Sequence, residues 1–236
     1  MKVAIMQPYF FPYLGYFSLI KHTERFIILD TVQYIKDGWI ARNRILKQGE
    51  GWRYINVPIM AHAYDTLIRD AKIHNETNWK SKIVAQFQPY KKNSSHYERV
   101  IELLNDVFSA EYKDIVSLNV AALNAVLEYL KINRKIEVLS QLGLDIKQPN
   151  AADEWSLRIC QALGNISEYW NPPGGKTFFD RSKYENNGIK FRFHEVELTP
   201  YYQKRPVFEP GLSILDALMF NSVADVHKML DNFSLS

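Results

Sequence analysis

The sequence predicts an α/β fold, a Rossmann-like parallel sheet with a helical middle and an α+β carboxyl-terminal portion that completes a cleft. Three observations carry that expectation. The opening KVAIMQP is a short β-branched run stopped by Pro8, and RFIILD repeats the pattern up to Asp30, with helical spacing from Tyr16 to Glu24 between them. Strand, helix and strand within about 30 residues have the length of a βαβ unit, whose right-handed crossover makes the strands parallel. The second observation is a run of three helical patterns in mid-chain, and the third is the alternation of IKFRFHEVEL, with a late irregularity, near the carboxyl end.

Taken in order, KVAIMQP and RFIILD read as strands buried on both faces, because their apolar runs are uninterrupted. WRYINVPI, residues 52–59, alternates and ends at a proline, so it reads as a third strand. Asn78 is placed to cap a helix running to Pro89, a second helix covers Tyr97 to Phe108, and the strongest pattern runs from Asp114 to Leu130. IEVLSQLGLD reads as a fourth strand with its turn. SLRICQALG reads as a helix closed by Gly164, and WNPPGGK as a loop. LSILDALMF closes as a helix with Ser213 near its start. The chain of 236 residues is expected to form one domain, with a Rossmann-like start at 1–75, a helical insertion at 76–135 and a cleft-completing portion at 136–236.

Composition narrows the functional classes. Apolar residues make up 47% and charged residues 23%, which suits a packed core rather than disorder. A net charge of +3 is too small to make nucleic acid the expected partner. Cys160 is the single cysteine, so no internal disulfide forms, and its setting in an amphipathic helix reads as a small buried hydrophobe. No apolar run approaches the roughly 20 residues that span a bilayer, and Met1 leads into no secretory leader. The expectation is a cytoplasmic protein with a small-molecule substrate, the choice between monomer and homo-oligomer staying open.

No self-sufficient catalytic motif is present: there is no GxxxxGK[ST], GxGxxG, HExxH or serine elbow. The six histidines lack the three- or four-residue spacing of helix-borne metal ligands, so no metal is assigned, and the cofactor is left unknown. The aromatic loop QPYFFPYLGY is more informative, since two prolines and Gly15 stiffen a segment directly after a strand. Gln7, Tyr9, Tyr13 and Tyr16 are expected to face the crevice beyond the strand ends. Asp30 closes the second strand and either assists proton transfer or caps the turn, with Gln33 beside it. In the triplet Arg42, Asn43 and Arg44, alternation points both guanidiniums the same way, and either suits a diphosphate or carboxylate. Gly174, Gly175 and Lys176 offer an anion cradle or a plain turn. Tyr202, Gln203, Ser213 and Asp216 complete the polar set, with Ser213 readable as an N-cap and Asp216 as dipole-favoured in a first turn.

QPYFFPYLGYF, ILDTVQY, WIARNRI, INVPI, PPGG, YYQ and LSILD, in that order along the chain, resemble the WbqC-like family. The resemblance implies a place in O-antigen or other surface-polysaccharide assembly and the addition of a glycyl or other aminoacyl group to a sugar. It transfers no catalytic residue. PYLGYFSLI followed by FIILDTVQY is also distantly similar to the HxGH-type nucleotidyltransferases such as pantothenate synthetase, with Tyr13 and Tyr16 standing at the two histidine positions. Tyrosine is uncharged at pH 7, which separates this site from a phosphate-stabilising histidine pair. The expectation is an acyl- or aminoacyl-transfer enzyme acting on an amino-sugar nucleotide or glycan precursor. In it Arg42 holds an anionic group, Gln7 and Gln33 position polar groups, and Asp30, Gln7 and Tyr16 are the catalytic candidates. The alternatives are an ATP-dependent ligase or nucleotidyltransferase with a degenerate HxGH-like site, and a noncatalytic sugar-nucleotide-binding protein.

Overall fold

A computed structural model describes residues 1–236. Its main sheet contains β1 (Lys2–Met6), β2 (Arg25–Ile28), β5 (Ile136–Val138), β6 (Glu168–Asn171), β7 (Lys190–Val196) and β8 (Phe233–Leu235), in the spatial order β5-β2-β1-β6-β7-β8. Counted along the chain, that is the 3-2-1-4-5-6 order of doubly wound dinucleotide-binding sheets. All pairings are parallel except that of β7 with β8. The order reverses between β1 and β6, which places a crevice beyond their carboxyl ends.

The period-two geometry of the strands explains how both faces are covered. Ala4 is in register with Phe26 and Trp170, and all three belong to the larger core. Val3, Ile5, Ile27 and Tyr169 project to the opposite, smaller core. The larger layer contains α1 (Leu14–His22), α3 (Tyr97–Ser109), α4 (Ile115–Tyr129), α7 (Ile214–Phe220) and α8 (Val223–Asp231). α2 (Trp79–Ala85) packs beside α3 in that layer. The smaller layer contains α5 (Trp155–Leu163) and α6 (Arg181–Glu185).

Several expectations need correction. The segment at 52–59 is not part of the parallel sheet: β3 (Arg42–Leu46) and β4 (Trp52–Asn56) form a separate antiparallel hairpin. Trp170 and Asn171, read as loop, end a central strand of the sheet, while α8 and β8 had no counterpart in the sequence reading. The first helix begins at Leu14 and ends at His22 rather than running from Tyr16 to Glu24. Asn78 makes no side-chain cap. Asp114 and Ser213 do cap their helices through Ser117 N and Leu215 N, and Gly164 adopts φ 67° at the end of α5.

Where β7 passes beneath α1, His194 is buried and its Nε2 lies 3.0 Å from Ser18 Oγ. The Ser18 hydroxyl donates to Leu230 O at 2.5 Å, which leaves its oxygen to accept from His194. Burial, reinforced by the nearby His22 ring, lowers the His194 pKa to about 4. An unfolded histidine takes its proton near 6.5, so between these values the unfolded chain binds more protons. The stability contributed by neutral His194 is therefore complete above pH 6.5 and lost as pH falls towards 4. Urea unfolding should show a loss of roughly 2–3 kcal/mol from this group over that interval. A His194→Gln variant should show a correspondingly flatter dependence, and an unchanged slope would refute the assignment.

Candidate functional site

Between β1 and β6 lies a cavity of about 590 Å³, at the point where the strand order reverses. Its first wall is the loop joining β1 to α1, including Gln7, Tyr9, Pro12 and Tyr13. Prolines at positions 8 and 12 remove two backbone donors, and as irregular backbone the loop must find most partners for its carbonyls outside the ladders of strand and helix. Distant side chains supply them. Tyr16 Oη donates to Gln7 O at 2.8 Å, and Asn119 Nδ2 donates to Pro8 O and Ile40 O at 2.8 Å each. Asn43 Nδ2 donates to both Phe10 O and Phe11 O at 2.9 Å. Ser213 Oγ adds a bond to Phe11 O, and Ile214 N reaches Pro12 O. This clamp holds Phe11 at φ 40°, in the left-handed region that a bulky residue avoids without support.

The Tyr13 ring lies over Gly15. A Cβ at Gly15 would stand 2.5 Å from Tyr13 Cε2, so glycine is what allows the ring to lie against the start of α1. Burial raises the phenol pKa of Tyr9, and burial followed by the neighbouring Tyr9 and Glu195 raises that of Tyr13. Both hydroxyls are therefore neutral groups that donate and accept at physiological pH.

The opposite wall comes from β6 and the turn after it. The Tyr169 hydroxyl lies 3.0 Å from Ser156 Oγ and 3.1 Å from Asn171 Oδ1. The chain then turns through Pro172, Pro173, Gly174 and Gly175, and a side chain at Gly175 would come within 2.4 Å of Asn171 Nδ2. The third side is the hairpin, which contributes Arg44 next to Trp39. The Arg44 guanidinium carbon lies 5.3 Å from the Trp39 ring centroid and 5.0 Å from that of Trp52. Its Nη2 donates to Gly211 O at 3.1 Å, and its buried Nε has no partner. Arg44 is the one cationic side chain among the lining residues, which include no carboxylate, imidazole, thiol or amine.

Gln7, Tyr9, Tyr13, Asn43, Gly174 and Gly175 thus line one cavity, with Asn43 shaping the loop. The remaining sequence candidates lie elsewhere. Tyr16 is fully buried behind the loop it supports. Asp30 is buried under β5, where its carboxylate accepts from Ser140 N at 3.1 Å and Ser140 Oγ at 2.5 Å. Gln33 donates to Tyr64 O, and Arg42 pairs with Asp37 in a second hollow. Lys176 reaches Glu195, Tyr202 is exposed, and Ser213 serves as a cap and loop clamp. Gln203 and Asp216 meet in the interior, where the carboxylate accepts from Gln203 Nε2, Tyr90 Oη and Tyr201 Oη. Burial raises the Asp216 pKa while these three donors oppose the rise. Cys160 is also buried, and its thiol pKa is pushed up to about 12.

Sequence reasoning missed Trp39, Ser156, Tyr169 and Asn171 as lining groups. The unrecognised strand β6 hid the last two, although the run WNPP immediately before two glycines marked a strand running into a turn.

The profile of the WbqC-like protein family matches residues 7–228. The chain is 29% identical over 227 residues to the uncharacterized protein Rv1507c of Mycobacterium tuberculosis, and the match covers 95% of each chain. No solved structure matches. No helix is long and apolar enough to cross a membrane.

The clamp has a measurable consequence. Replacing Asn119 by Ala strips the donors from two carbonyls and should cost about 2–4 kcal/mol in urea unfolding, since each buried group left unpaired costs roughly 1–3 kcal/mol. A loss below about 1 kcal/mol would show that the loop is held without it.

Proposed function

The chain belongs to the WbqC-like protein family, and we propose that it is an enzyme of surface-glycan assembly that acts on a nucleotide-linked amino sugar or related precursor in the switch-point cavity. It transfers to that substrate an acyl or aminoacyl group, a glycyl group among them. The observation that carries this reading is Arg44, a cation without a carboxylate partner, held between two indoles with an unsatisfied buried Nε at the rim of the cavity. A guanidinium so fixed suits the phosphate of a nucleotide-activated substrate. The start of α1, at Pro12 and Tyr13, lies on the same cavity and adds its positive dipole end.

The rest of the lining fits a sugar. Gln7 and the hydroxyls of Tyr9 and Tyr13 can exchange hydrogen bonds with hydroxyl and amide groups, while the rings of Tyr9, Trp39 and Phe178 exclude water. The reaction needs no protein nucleophile. The amine of the sugar forms a bond to the carbonyl carbon of an activated donor, the bond to the leaving group breaks with its electron pair, and the amine proton passes to that group or to solvent. The protein's contribution is alignment of the two reactants, with Arg44 anchoring the phosphate and the neutral Tyr13 hydroxyl available to donate to the oxygen on which negative charge builds. Asp30 has no part in this scheme, because its carboxylate is engaged by Ser140 away from the cavity. A lining without a carboxylate, imidazole, thiol or amine also favours a second reading, a protein that binds a nucleotide sugar without transforming it.

Calorimetry with a panel of nucleoside diphosphate sugars should find a ligand whose affinity drops about 10- to 100-fold in Arg44→Gln, the effect of losing a charge-assisted contact of roughly 1.5–3 kcal/mol. Equal affinity in the variant would remove Arg44 from the site. Mass spectrometry after addition of acyl and aminoacyl donors separates transfer from binding alone. Release of AMP or pyrophosphate from ATP would point instead to a ligase or nucleotidyltransferase.

A further inference from the structure

A second hollow of about 400 Å³ lies on the same hairpin, and Lys36, Asp37, Arg42, Asn56 and His62 provide its polar lining. The two hollows divide one stretch of chain between them. Gly38 and Arg42 line the second, whereas Trp39, Asn43 and Arg44 line the first. Alternation along β3 places Arg42 and Arg44 on one face, with Cα atoms roughly 7 Å apart. The two guanidiniums are held in the same manner. Arg42 lies 4.2 Å over the Tyr54 ring, Tyr54 packs edge-on to Trp52 at 4.9 Å, and Trp52 holds Arg44. Each of the two arginines has a buried Nε with no partner.

Arg42 differs in having a partner, Asp37 Oδ1 at 3.2 Å, and it also donates to Asp37 O. That carboxylate is 71% exposed, so the ion pair is solvent-screened and readily exchanged for another anion. Lys36 and Arg42 outnumber the single carboxylate around the hollow. Asn56 adds an amide that can donate to an anion.

We propose that this hollow is a second anion subsite, in which Arg42 takes a carboxylate or phosphate carried by the sugar. It rests on the reading of the first cavity as a nucleotide-sugar site. The favoured substrate then carries two anionic groups, the nucleotide phosphate at Arg44 and a second group one sugar unit away at Arg42. Selection between neutral and acidic sugars falls to Arg42, which makes it a specificity-determining residue.

UDP-glucose and UDP-glucuronate differ by a single carboxylate and serve as probes. Calorimetry should give at least a tenfold preference for UDP-glucuronate in the wild type. R42Q should lose that preference while binding UDP-glucose unchanged, R42K should keep part of it, and R44Q should weaken both ligands alike. Equal binding of the two probes by the wild type, or a preference retained in R42Q, overturns the proposal. The tryptophans of the hairpin give an independent readout. Titration with D-glucuronate or inorganic phosphate at constant ionic strength should change the fluorescence of Trp39 and Trp52 in the wild type and not in R42Q. A response to D-glucuronate alone identifies a carboxylate and one to phosphate alone a phosphate. If neither nucleotide sugar binds yet this response is present and depends on Arg42, the subsite stands and the nucleotide-sugar reading fails. No response to either anion sinks the subsite itself.

Discussion

The structure depends on finding donors for the carbonyls of the loop between β1 and α1. A segment that carries two prolines and packs its Phe10 and Phe11 rings into the core cannot leave its carbonyl oxygens to water. It draws its donors from α1, β3, α4 and α7, elements far apart in sequence. The cavity wall is therefore a product of the completed fold. Amide side chains that bridge pairs of carbonyls add to the stiffness its prolines supply.

The same dependence explains what could be read from the sequence. The βαβ beginning, the α3 and α4 patterns, the alternation of β7 and the caps at Gly164 and Ser213 are local signals, and each corresponds to an element or cap in the structure. β6 is four residues long, with a polar first residue and a proline directly after it, so its central place in the sheet leaves little periodicity to detect. β3 and β4 alternate as any strands do. Alternation alone does not distinguish a separate hairpin from a sheet member, because only the pairing partner differs.

For the candidate site the division is similar. Gln7, Tyr9, Tyr13, Asn43, Gly174 and Gly175 follow two strand ends and one hairpin, and they reach one cavity because the 3-2-1-4-5-6 order brings those ends together. In the sequence Asp30, a catalytic candidate, and Asp216, a binding candidate, stand as isolated carboxylates at element ends. Each is surrounded by donors from other parts of the chain, Ser140 in one case and Tyr90, Tyr201 and Gln203 in the other. Burial with satisfied oxygens gives them the work of fastening segments together. That partnership is a three-dimensional fact with no local trace.

The contact between Tyr13 and Gly15 has an evolutionary corollary. Because the phenol occupies the volume that any larger residue at position 15 would fill, the two positions are not free to drift separately. A lineage that enlarges residue 15 displaces or replaces the phenol, and because that ring lines the cavity the pocket takes a different shape.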